Sequence, residues 1–137
     1  GNFTINQYAG LHVSREGVSI EYLVDMAEIP AFQEIAIFDV NGDGKADPTE
    51  AEAYHHSKCL SLAPELELSV DGRQTALVLA SSAVEFPAGA GGLATLRLTC
   101  DFRGSISSLA RHAKVTFETH AYAERLGWRR SSSFQMD

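Results

Sequence analysis

Long apolar runs are missing from this chain. Its most apolar-leaning stretch, ALVLASSAV from Ala76 to Val84, falls far short of the ~20 residues a helix needs to span a bilayer. Basic residues are scarce as well: 11 Lys and Arg stand against 18 Asp and Glu, giving a formal net charge of −7. Phosphate binding requires clustered cations. The one dense basic spot, Arg125-Leu-Gly-Trp-Arg129-Arg130, reads as a solvated edge, so no nucleic-acid partner is expected. A phosphate loop is also lacking, because Gly89-Ala-Gly-Gly92 has no Lys after it and leads into a strand pattern. The serine runs Ser81-Ser82 and Ser131–Ser133 have no nucleophile-elbow context. Glu21, Asp25 and Glu28 resemble an acidic surface more than a catalytic pair. With no catalytic constellation and no evident small-molecule substrate, the chain is read as a non-enzyme.

Cysteine is rare too. Cys59 and Cys100 are the only two, which leaves two buried thiols or a single bridge equally open. The opening GNFTINQY has neither a basic start nor an apolar h-region. Gly1 stands where a Met would begin a complete product, so the sequence is expected to be a processed or trimmed piece of something longer. Asn2-Phe-Thr4 matches a glycosylation sequon.

What is present fits one domain of residues 1–137, since 137 residues with 45% apolar and 21% charged content suffice for one core. Alternation in FTINQYAGLHVS and VSIEYLV around an Arg15–Gly17 turn predicts an antiparallel hairpin. A short helix is expected from about Pro30, with Phe32, Ile35 and Phe38 at helical spacing. PTEAEAYHHSKCLSL is the clearest helix, ending by Pro64. Beyond it, ELELSV and QTALVLA flank the turn pair Asp71-Gly72. Further strands are expected in AVEF, in Leu93 through Cys100, in AKVTFETHAY and in GWRRSSSFQM. Seven or eight short strands with turns every 8 to 12 residues predict a mainly β protein. The expected architecture is an antiparallel, immunoglobulin-like β-sandwich with a helix–loop–helix insertion at about 30–63.

The loop in that insertion, FDVNGDGKADPTE, carries the most specific signal. Calcium prefers six to eight oxygens, which a 12-residue loop supplies from fixed positions. Asp39, Asn41 and Asp43 occupy positions 1, 3 and 5, Gly44 the sharp turn at 6, Lys45 the carbonyl at 7, Asp47 position 9 and Glu50 the bidentate position 12. A capping box with Asp47 as N-cap, Pro48 at N1 and Glu50 at N3 accounts for two of these without any metal. It leaves Asp39, Asn41, Asp43 and Gly44 unexplained. The loop is EF-hand-like but single, with Ala46 at position 8 and Lys45 within it. An affinity on the order of 10⁻⁴ M is expected, as in extracellular modules, with calcium bracing the fold.

Histidine offers less. His55 and His56 are about 100° apart on their helix and cannot easily grip one ion. His55 and Cys59 at i and i+4 form a workable chelating pair, yet such pairs are common on helix surfaces. His12, His112 and His120 are scattered.

Four segments in order, GNFTINQYAGLHVS, YLVDMAEIPAFQE, GGLATLRLTC and AYAERLGWR, resemble the extracytoplasmic N-terminal domain of bacterial membrane proteins related to nickel/cobalt permeases, the NicO-type, high-affinity nickel-transporter-like group. Arg130 departs from that pattern, where an acidic residue is expected. The resemblance implies a membrane-anchored protein whose permease part follows and is the natural partner of this domain. It also implies an oxidising location that allows a Cys59–Cys100 bridge and supplies calcium. The leading expectation is therefore a non-catalytic extracytoplasmic calcium-binding domain of a transporter-like protein. A secreted calcium-dependent protein- or carbohydrate-binding or adhesion module is the alternative, since DVNGDGKAD resembles a dockerin loop, although dockerins carry two. A periplasmic nickel- or cobalt-binding delivery domain is the third reading.

Overall fold

Val18, Ile20, Tyr22, Val24 and Met26 alternate with polar or smaller residues, and alternation places all five on one face of a strand. In the computed structural model, which describes residues 2–122 and, as main chain only, 130–135, that strand is β2 (Gly17–Met26) and all five side chains are buried. It pairs with β1 (Ile5–Ser14) in an unbroken antiparallel register from Ile5↔Met26 to Ser14↔Gly17, closed by Arg15-Glu16.

The protein is mainly β. The remaining strands are β3 (Leu66–Val70), β4 (Arg73–Thr75), β5 (Leu77–Glu85), β6 (Leu96–Gly104), β7 (Lys114–Thr119) and β8 (Arg130–Gln135). They form two antiparallel four-stranded sheets, ordered β1-β2-β6-β5 and β4-β3-β7-β8. Asp71 and Gly72 both adopt positive φ, 52° and 81°, as the two-residue turn between β3 and β4 requires.

Sequence alternation presents QTALVLA as one strand, but the chain changes sheets at Ala76, leaving β4 in one sheet and β5 in the other. Alternation specifies which residues share a face and is blind to a mid-run switch of partner. Leu93 likewise falls outside its expected strand. A 3-10 turn at Ala90–Gly92 precedes it, and β6 begins at Leu96.

Inner-face residues of both sheets join one cluster: Ile20, Tyr22 and Val24 from β2, Leu98 and Phe102 from β6, Leu68 from β3, and Val115 and Phe117 from β7. A polar knot ties the two sheets together inside it. Buried Gln7 of β1 donates from Nε2 to Ala121 O (2.8 Å), while its Oε1 accepts from the Tyr22 hydroxyl and from Thr119 Oγ1 (2.9 Å). Both the oxygen and the nitrogen of the Gln7 amide are thereby engaged, as burial demands. Burial pushes the Tyr22 hydroxyl pKa well above its ordinary value, so it remains a donor.

Two helices lie between β2 and β3. α1 spans Glu28–Phe38 and α2 spans Pro48–Leu62. α1 starts two residues before the expected Pro30. Pro30 falls in the first turn, where the missing N–H has no helical partner to lose. Phe32 is 64% exposed, so the buried stripe of α1 runs through Pro30 and Ala31 instead. α2 packs on β5 and is bonded to β6 through Cys59–Cys100, with Cα atoms 5.6 Å apart. This removes Cys59 as a metal ligand, and His55, one helical turn before it, shares a 2.6 Å hydrogen bond with Ser82 of β5.

Candidate metal centre

The two helices are held together just outside the loop that joins them. Phe38 stacks on Tyr54 with centroids 4.4 Å apart. Glu34 accepts from the Tyr54 hydroxyl (2.9 Å) and pairs with Lys58 (3.2 Å). Burial, followed by the Glu34 charge, drives the Tyr54 pKa upward. Since Cys59 on α2 is covalently fixed to β6, this clamp positions both ends of the loop against the sheet.

The loop begins at the C-cap of α1, Asp39, whose N–H bonds Ile35 O, and ends inside the capping box of α2, with Asp47 as N-cap and Pro48 opening the helix. Gly42 and Gly44 adopt φ 71° and 73°, the left-handed region that favours glycine. Asp39 Oδ2 accepts the Gly44 N–H at 2.7 Å and Asp43 Oδ1 the Lys45 N–H at 2.9 Å. Glu50 accepts from Val40 N–H (2.7 Å) and Asp47 N–H (3.2 Å), pulling its carboxylate back over the loop.

The result is a convergence of like charges. One oxygen from each of Asp39, Asp43 and Glu50 lies within 4.8 Å of the other two. Asp39 Oδ1 is buried and has no hydrogen-bond partner. A carboxylate oxygen buried without a partner is costly, and a cation in the cluster would offset that cost. The chemistry is all oxygen, the donor set of a hard divalent cation.

Asn41 and Asp47 face each other rather than the trio, with Asn41 Nδ2 donating to Asp47 Oδ2 at 2.6 Å, while Asn41 Oδ1 accepts from Asp43 N–H. The Lys45 N–H bond, the largest influence, lowers the Asp43 pKa. Asp47 moves the other way, first through desolvation and then through the charges of Asp43 and Glu50. Of the six expected ligands, the structure thus brings three carboxylates together. It sets Asn41 and Asp47 beside them and places Lys45 at the turn.

The other acidic residues noted in the sequence do not converge. Asp25 forms a two-pronged bond with Arg97 (2.7 and 2.9 Å). Glu28 accepts the Ala90 N–H at 2.7 Å, and Glu21 lies opposite Asp101 in the β2–β6 register.

A second group went unseen in the sequence. Glu67 of β3 and Glu118 of β7 are directly opposite, and His120 Nε2 lies 3.4 Å and 3.6 Å from their carboxylates. The His120 main chain is anchored by its N–H on Glu65 O (2.7 Å). Only the β3–β7 register brings Glu67 to residues 51 and 53 positions further along, so no local spacing could have revealed it.

No protein-family model, no curated protein and no solved structure matches this chain.

Proposed function

We propose that this chain is a non-catalytic, extracytoplasmic calcium-binding domain in which the ion is structural. One observation carries the reading: the buried, unpartnered Asp39 Oδ1 within a trio of converging carboxylates. Asp39, Asn41, Asp43, Asp47 and Glu50 would hold the ion with side-chain oxygens and Lys45 with its carbonyl. Calcium suits a flexible loop offering six or more oxygens, whereas magnesium demands near-ideal octahedral geometry and retains its waters. When bound, the ion neutralises the cluster and ties the end of α1 to the start of α2.

The two sheets and their common core fit an immunoglobulin-like sandwich carrying an EF-hand-like insertion. The Cys59–Cys100 bond suits an oxidising compartment. Resemblance to the N-terminal domain of NicO-type nickel/cobalt permease-like proteins supports membrane attachment in the full-length chain, with the permease part as partner.

Calorimetric titration of the metal-free, oxidised protein with calcium, run alongside nickel, tests this function. One-site calcium binding that is lost in Asp39→Ala and in Glu50→Ala is expected, with little nickel uptake. Nickel binding tighter than calcium and surviving both substitutions would overturn the reading. In that case Glu67, Glu118 and His120, a carboxylate–imidazole set, become the place to look.

A further inference from the structure

A sheet edge presents unpaired N–H and C=O groups to any passing strand, and folded proteins blunt such edges by shortness, charge, bulges or cover. Three of the four edges here carry such devices. β4 is three residues long and contains Arg73. β5 is covered by α2, breaks register between Leu79 and Ser81, and ends at Glu85. β8 opens on Arg130. β1 is different. It has ten residues, INQYAGLHVS, with no charged residue, no proline and no register break, and among the described residues it pairs with β2 alone.

The register identifies which backbone groups are open. The two-residue turn makes Ser14↔Gly17 a hydrogen-bonded pair, and such pairs alternate along an antiparallel ladder. Asn6, Tyr8, Gly10, His12 and Ser14 therefore bond β2. Ile5, Gln7, Ala9, Leu11 and Val13 direct their main-chain groups away from it.

We propose that this edge pairs with β1 of a second copy of the chain, antiparallel about a two-fold axis through Ala9, making one eight-stranded sheet. A β1–β1 contact is isologous, so each copy offers the other the same groups. The strand's neutrality matters: two chains of net charge −7 repel each other, and β1 adds no Asp or Glu of its own to the contact. Centring on Ala9 pairs open residue with open residue, Gln7 with Leu11 and Ile5 with Val13. On the outer face Gly10 lies opposite Tyr8, where the absence of a side chain leaves room for the ring.

Sedimentation equilibrium of the oxidised wild-type protein over a wide concentration range tests the proposal, with amide exchange at Ala9, Leu11 and Val13 as a local readout. Two variants are informative. Gly10→Lys adds a charge at a position whose Cβ would meet nothing within 4 Å. Ala9→Pro removes an N–H that β2 does not use, a substitution edge strands tolerate. The expected result is a wild-type dimer whose β1 amides gain protection with concentration, and at least a tenfold weaker dimer in either folded variant. Val78→Lys, on the exposed side of β5, should leave the mass unchanged. A wild-type monomer throughout would overturn the proposal, as would a dimer that both β1 variants leave intact.

Discussion

At Asp39 the main chain leaves α1 and one carboxylate oxygen serves the loop by accepting the Gly44 N–H, while the other is buried without a partner. Asp39→Asn keeps an acceptor for Gly44 and removes one of three converging charges. The metal-free variant is expected to be as stable as wild type or slightly more so, whereas the rise in melting temperature on calcium addition disappears. Scanning calorimetry with and without calcium checks both halves. Glu28, at the start of α1, offers a pH test. Its pKa is lowered, chiefly by the hydrogen bond from Ala90 N–H. A carboxyl depressed on folding contributes stability that is present above its unfolded pKa and lost as pH falls through the folded one. The stability difference between wild type and Glu28→Gln should therefore be constant at neutral pH and shrink as the pH drops below 4.5. Urea denaturation across that range measures it.

Among the elements, α2 was fully legible: Pro48 sets its first turn, Asp47 and Glu50 form its capping box, and Pro64 follows its end, so local chemistry fixes both boundaries. The β1–β2 hairpin was equally plain, because period-two burial on β2 has no competing reading. The split of β4 from β5 was not, since which sheet a strand joins depends on distant partners such as Gly104, opposite Leu77. The convergence of Asp39, Asp43 and Glu50 was foreshadowed by local spacing, whereas the mutual bond of Asn41 and Asp47 was not. The Glu67–Glu118–His120 group was hidden because register alone assembles it. At this scale the disulfide makes the sharpest prediction. It closes a separation of 41 residues, worth about 4 kcal/mol in the chain-entropy account. Cys59→Ala with Cys100→Ala should lower unfolding free energy by about 2–5 kcal/mol, read by urea denaturation in saturating calcium. A loss under 1 kcal/mol would mean that the helix pair holds to the sheet without the bond.

For the molecule as a whole, the two sheets meet through an apolar core and the satisfied Gln7 knot. Gln7→Leu has a similar shape but strands the Tyr22 hydroxyl and the Ala121 carbonyl in the core and leaves Thr119 Oγ1 with the Ala121 N–H alone. A loss of about 2–4 kcal/mol is expected, more than a surface glutamine could cost. Denaturant midpoints at constant m-value would establish it.

The central claim is that a calcium ion braces α1 and α2 as one unit against the sheets. Amide hydrogen exchange of the oxidised protein, with calcium and then with chelator, tests it most directly because the effect is local. The account predicts slower exchange with calcium in the loop from Asp39 to Glu50 and in the adjoining turns of both helices, with β2 and β6 little changed. Exchange in that loop indifferent to calcium would contradict it.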